Sequence, residues 1–114
     1  MRDLGGTRTR ARGPARHELP AIDELALTAA RHGDRLLAEA RRRGDDRWVT
    51  FLGALPDRLR DEEPPALRAA ALRARAAYGP KDSVRDALPA DLTEPFLEAI
   101  DRLIRELNRA AVRG

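Results

Sequence analysis

Thr93-Glu94-Pro95-Phe96-Leu97-Glu98-Ala99-Ile100-Asp101-Arg102-Leu103-Ile104-Arg105-Glu106-Leu107-Asn108-Arg109-Ala110-Ala111 is the stretch that decides the fold. Its apolar residues Phe96, Leu97, Ile100, Leu103, Ile104, Leu107, Ala110 and Ala111 recur three and four apart, a spacing that gathers side chains on one face of an α-helix. Charged residues fill most of the positions between, as a helix with one face in water requires. No other stretch is so regular, and none alternates with the period of two that a half-buried strand needs. The chain therefore reads as all-α, a compact bundle of four to five helices. Thr93 is the expected N-cap of this last helix, because a threonine hydroxyl can accept from the unpaired amides of a first turn.

Upstream, Tyr78-Gly79-Pro80-Lys81-Asp82-Ser83-Val84-Arg85-Asp86 interrupts the helical pattern with polar, turn-forming residues. Gly79-Pro80 ends the helix before it, since proline has no amide to donate and restricts the residue ahead of it. Ser83, followed three residues later by Asp86, has the form of a capping pair for a short turn carrying Val84, Ala87 and Leu88, which Pro89 stops. Ahead of that loop, Asp61, Glu62 and Glu63 with Pro64 and Pro65 supply the acidic residues and first-turn proline that open a third helix running to Ala77. Ala70, Ala71, Ala74 and Ala77, beside Leu67 and Leu72, predict a helix pressed closely against a neighbour.

Further upstream, Trp48, Phe51, Leu52, Leu55 and Leu59 form the apolar stripe of a second helix capped by Asp45 or Asp46. Pro56 falls within it and predicts a kink or break between Ala54 and Asp57. From Ala21 to Arg43, the residues Ile22, Leu25, Ala26, Ala29, Gly33, Leu36, Leu37 and Ala40 spell out a long first helix. Gly33 lies on its apolar stripe, where a missing side chain admits a neighbour at a cost of about 1 kcal/mol in helix propensity; a break at Gly33 is the rival expectation. Arg41-Arg42-Arg43 suits the negative end of the helix dipole, and Gly44 suits a left-handed C-terminal cap.

The 114 residues fit one domain. Trp48, Phe51, Tyr78 and Phe96 are the only aromatic residues, so the core must come from leucine, isoleucine, valine and much alanine. There is no cysteine, hence no disulfide and no thiolate metal site. No apolar run approaches the roughly 20 residues a membrane span needs. The N-terminal arginines are not followed by the apolar segment of a signal peptide, and the chain reads as cytoplasmic. Residues 1–19 carry Arg2, Arg8, Arg10, Arg12 and Arg16 against Asp3 and Glu18, a surplus that equals the formal +3 of the whole chain. With Gly5, Gly6, Gly13 and Pro14 and no apolar period, they read as a flexible or loosely docked tail, and residues 20–114 as the single helical domain.

Chemistry-bearing residues are sparse. His17 and His32 stand without companions at metal-ligand spacing, so neither a metal nor a cofactor is expected. The carboxylate pairs Asp45-Asp46 and Glu62-Glu63 open helices, where negative charge is favoured. Ser83 and Lys81 have the spacing of a serine-lysine dyad, but Ser-x-x-Asp before a short apolar run is the pattern of a cap. The loop and its flanking helices superficially match a helix-turn-helix layout. That layout fails because Pro89 stops the second helix early and only Arg85 is offered to a groove that several side chains must read. Catalysis is not expected.

Trp48 with Phe51-Leu52 behind it, the alanine-rich helix, the loop from Tyr78 to Asp86 and the last helix containing Asn108 together resemble a family of small bacterial all-helical domains of unknown function. That family has a tryptophan-bearing helix and an aromatic-Gly-Gly-Met-Gly-Ser-aromatic-Asn-Asp loop before its last helix. The resemblance covers residues 36–112, matches at Trp48, Tyr78, Gly79, Ser83 and Asp86, and departs at Pro80, Lys81, Asp82 and Arg85. The departures remove glycines that would let a backbone approach a ligand closely. The resemblance implies a helical fold and no particular activity.

The expected function is a non-enzymatic interaction module, an accessory or immunity-type protein that binds another protein through an exposed helix face or through the loop. Trp48, Tyr78, Lys81, Arg85 and Asp86 are the candidate contact residues, because aromatic and arginine side chains dominate interface energetics; core packing is the competing role for Trp48 and Tyr78. Homodimerisation through the first or last helix is a further expectation. Nucleic-acid association through the basic N-terminal residues is the alternative.

Overall fold

The computed structural model describes residues 13–113. A short 3-10 turn at Arg16–Glu18 leads into α1 (Pro20–Arg43), α2 (Asp46–Leu52), α3 (Leu55–Asp61), α4 (Pro64–Ala76), α5 (Val84–Ala87) and α6 (Ala90–Arg113). No strand occurs among the described residues. α1 packs on α6 and on α3, and α4 packs on the same two helices, so these four close a ring. α2 lies against α1, and α5 against α6. The expected all-α bundle is present.

Each helix boundary has a local cause. Gly44 takes a left-handed φ of 66°, and its amide and that of Asp45 bond back to the carbonyls of Arg41 and Ala40, both at 3.0 Å. Of the two candidate caps for α2, Asp45 serves: its carboxylate accepts from the Trp48 amide at 3.4 Å. Pro56 yields a break instead of a kink, because it becomes the second residue of α3, where no intrahelical amide bond is required. Ser83 caps α5, accepting from the Arg85 amide at 3.1 Å.

The expected Thr93 cap does not form. α6 starts at Ala90, the amides of Leu92 and Thr93 both donate to the Pro89 carbonyl at 3.0 Å, and Thr93 is fully buried inside the helix. Pro95 sits in the second turn, where its missing amide deprives only the Asp91 carbonyl, and Asp91 is exposed to water.

Among the described residues, nine of the twenty-four buried hydrophobic residues are alanines, side chains short enough to let helices pack closely. Gly33 lies within the unbroken α1 and is not a break. A Cβ added there would lie 3.2 Å from Phe96 Cε1 and 3.4 Å from Pro56 Cγ, so α1, α3 and α6 meet at a point where any side chain would press on its neighbours. Phe96 itself is completely buried.

Residues 13–19 lie against the bundle, and Arg16 makes the contacts. Arg16 is 5% exposed; its Nε donates to Asp23 at 2.7 Å, its Nη1 to the Glu62 carbonyl at 3.1 Å, and its amide to the Glu63 carboxylate at 2.8 Å. Glu63 therefore secures the N-terminal turn with its carboxylate instead of capping α4. Residues 1–12, and with them Arg2, Arg8, Arg10 and Arg12, lie outside the described residues.

Replacing Gly33 by valine is expected to lower stability by about 1–3 kcal/mol, the usual range for overpacking a filled core, as read from urea unfolding. A change within about 0.5 kcal/mol would show that α1 and α6 can separate freely. Arg16→Ala is expected to cost about 1–2 kcal/mol by loss of its hydrogen bonds, with amide exchange accelerated in the first turns of α1 and α4.

Candidate interaction surfaces

The loop from Ala77 to Leu88 folds back onto the start of α6. The Tyr78 hydroxyl donates to the Thr93 backbone carbonyl, and the Val84 amide donates to the Ala77 carbonyl at 2.9 Å. Arg85 lies 5.5 Å from the centre of the Tyr78 ring and grips Glu94 with two bonds of 2.8 and 2.9 Å. The Thr93 hydroxyl donates to the same Glu94 carboxylate at 3.1 Å. That grip holds the Glu94 carboxyl below its ordinary pKa, while burial pushes the Tyr78 hydroxyl well above the usual tyrosine value. Asp82 has a φ of 53°, a left-handed conformation that aspartate tolerates and glycine favours. Arg47 reaches the Asp82 carbonyl at 3.5 Å and its carboxylate at 3.8 Å, and Arg43 reaches the Ala87 carbonyl at 3.3 Å. The loop is thus fastened to the end of α1, the start of α2 and the start of α6.

The structure brings Tyr78 and Arg85 together and leaves Arg85, Lys81 and Asp86 exposed. Trp48 and Tyr78 are buried, at 4% and 8% exposure, so their rings fill the core. Trp48 stands edge-on to Phe51 at 5.3 Å, with Arg47 5.0 Å from its own ring. Its connection to the loop runs through Arg47 and Asp82. Ser83 Oγ is engaged as a cap, and neither of the two grooves described next is lined by Ser83, Lys81 or Asp86.

One groove, of about 370 Å³, runs between α1 and α6 and is lined by Glu24, Thr28, His32, Pro95, Glu98 and Arg102 among others. Burial, reinforced by Arg35 and Arg31, lowers the His32 pKa, so its imidazole is neutral at neutral pH. Among the described residues no group of three or more His, Cys, Asp or Glu side chains is placed to hold a metal ion. The other groove, of about 310 Å³, is apolar: Leu19, Ile22, Pro64, Pro65, Leu107 and Ala110 line it, and among the described residues Arg68 is its one charged lining residue.

The outward face of α4 was not anticipated. Leu67, Ala70, Ala71 and Ala74 are buried as expected, but Leu72 is 42% exposed. Pro65, Ala69, Leu72 and Ala76, spaced as one ridge, are all exposed and point directly away from the core. Its arginines sit on the flanks. Arg68 Nε donates to Asn108 and Arg75 Nε to Asp101, both at 2.9 Å and both toward α6; Arg73 stacks 4.4 Å from the Phe51 ring of α2. The signal was present in the sequence, because a helix turns about 100° per residue and places Leu72 opposite Ala70 and Ala74; counting it with the adjacent alanines hid the second apolar face. No protein-family model matches this chain, and no curated protein or solved structure matches it.

Tyr78→Phe is expected to cost about 1 kcal/mol at neutral pH by removing the bond to the Thr93 carbonyl. Because folding raises the Tyr78 pKa, its contribution is complete below the unfolded value of about 10 and is lost as pH climbs through the folded one. Tyr78 is the only tyrosine, so the tyrosinate absorbance reports it alone. The folded protein should ionise at higher pH than the unfolded chain, and the alkaline fall in stability should be shallower in the phenylalanine variant.

Proposed function

We propose that the protein is a non-enzymatic interaction module, an accessory or immunity-type protein that binds a protein partner, with the outward face of α4 as its docking surface. The observation that carries this reading is the absence of any charge on the most solvent-facing ridge of α4, at Pro65, Ala69, Leu72 and Ala76. A helix apolar on both sides is ordinarily a helix covered on both sides. Single exposed apolar residues are commonplace on a protein surface, whereas a contiguous row marks an interaction site.

Contacts extend that surface toward the loop. Arg73 stacks on Phe51, Phe51 on Trp48, and Arg47 spans Trp48 and Asp82. Trp48 and Tyr78 serve this surface by holding Phe51 and Arg85 in place, and Lys81, Arg85 and Asp86 are its exposed polar continuation. The described part of the basic N-terminal stretch offers no second reading, since Arg16 is buried against Asp23 and has no guanidinium face for a phosphate. No described helix is long and apolar enough to cross a membrane.

Leu72→Glu tests the assignment. Its side chain is half in water already, so the thermal midpoint should correspond to a change within about 0.5 kcal/mol. Affinity capture with the full chain from its native host should retain a defined protein on the wild type and lose it on the Leu72→Glu variant. Identical retention by both would remove α4 as the docking face.

A further inference from the structure

We propose that the segment which docks on α4 is an amphipathic helix of a different protein, with an aliphatic stripe flanked by aspartate and glutamate; the inference rests on the docking reading above. Ala69 and Ala76 give the ridge a low profile that lets a second helix axis approach to the near end of the usual 8–10 Å. A peptide that binds by adding a β-strand would need a sheet edge to pair with, and no strand is present among the described residues.

Charge selects the partner's flanks. α4 contains Arg68, Arg73 and Arg75 and no acidic residue. Asp101 already neutralises Arg75, but Arg68 is held by the uncharged Asn108 and Arg73 by the Phe51 ring. Two cations, one on either side of the ridge, therefore stand in contact with no carboxylate among the described residues. A second copy of this chain docked α4 to α4 would set arginines against arginines, which disfavours self-association through this face. Nucleic acid would lay its phosphates over the centre of the surface, where the residues are Ala69 and Leu72 and the cations are displaced to the edges.

One end of the ridge opens into a receptacle. Pro65 and Arg68 belong both to α4's exposed surface and to the apolar groove of about 310 Å³, whose floor includes Ile22 and Leu107. A bulky aliphatic or aromatic side chain at the corresponding end of the partner helix enters that groove, with an acidic neighbour on Arg68.

The test uses the full-length protein and stapled helical peptides of about 20 residues, long enough to be helical. One carries a Leu/Ala stripe with glutamate flanks, a second the same stripe with lysine flanks, and a third the glutamates with the stripe scrambled. Fluorescence anisotropy should show saturable binding of the first and at least about tenfold weaker binding of the other two. Leu72→Glu should abolish binding of the first peptide. In the charge-reversed variant R68E/R73E, folded by circular dichroism, the preference should invert toward the lysine-flanked peptide. Equal affinity for the two flank types, absence of saturable binding by the glutamate peptide, or displacement of that peptide by duplex DNA would overturn the proposal. The comparison of peptides on the wild type stands whether or not the variants fold. Loss of host-partner capture on Leu72→Glu together with indifference to flank charge would refute only the acidic helix, whereas unchanged capture would refute the docking face itself.

Discussion

The contact of Phe96 with Gly33 is the constraint on which the arrangement depends. A Cβ at position 33 would crowd the phenylalanine ring of α6 at 3.2 Å and Pro56 of α3 at 3.4 Å, so the bare glycine lets ring and proline close on α1 without yielding. With that distance set, α4 completes the ring by presenting Ala70, Ala71 and Ala74, side chains short enough to follow the close spacing. Burial is worth about 0.8 kcal/mol for each methylene removed from water, so a core in which nine of twenty-four residues are alanine draws less from each residue than a leucine core would. It compensates through proximity, since dispersion falls steeply when surfaces part.

Polar ties secure the places where the apolar core thins. Arg16 joins the N-terminal turn to α1 through Asp23 and to the start of α4 through the Glu62 carbonyl. Tyr78 joins the end of α4 to the start of α6 through the Thr93 carbonyl. Both place the donor on one segment and a backbone acceptor on another, so each bond is lost as soon as the two segments separate. The surface arginines work in the same way over shorter spans: Arg60 bridges α3 to Asp34 of α1 at 2.8 Å, and Arg75 bridges α4 to Asp101 of α6 at 2.9 Å. Exposed pairs of this kind add little stability individually.

Much of this was legible because it is local. Periodicity in Phe96–Ala111 located α6, and Asp45, Gly44 and Ser83 marked boundaries by rules that act within four residues of chain. What escaped was nonlocal or geometric. Arg16 finds Glu62 and Glu63 forty-six and forty-seven residues away, a pairing that composition cannot suggest. Thr93 lost its expected role as a cap because the Pro89 carbonyl starts the helix earlier, and Pro95 sits inside it four residues after the exposed Asp91, whose carbonyl would otherwise accept its amide. The loop candidates were partly legible: their clustering followed from sequence adjacency, but the division into buried rings and exposed charges required the packing of α2 and α6.

Leu72 carries the argument about function, because folding does not require it. The inward face of α4 is already complete with Leu67, Ala70, Ala71 and Ala74, all fully buried. A lysine or glutamine at position 72 would keep nearly the same helix propensity and give the ridge the polarity that a water-facing helix ordinarily has. An exposed ridge of residues that neither fill the core nor favour solvation is what supports the proposed docking surface. The flanking arginines agree with this: Arg73 lays its guanidinium over Phe51 instead of extending into water, which keeps a cation at the edge of the apolar ridge while leaving the ridge itself clear. In the proposed docking, this charged border is what would orient a partner of opposite sign.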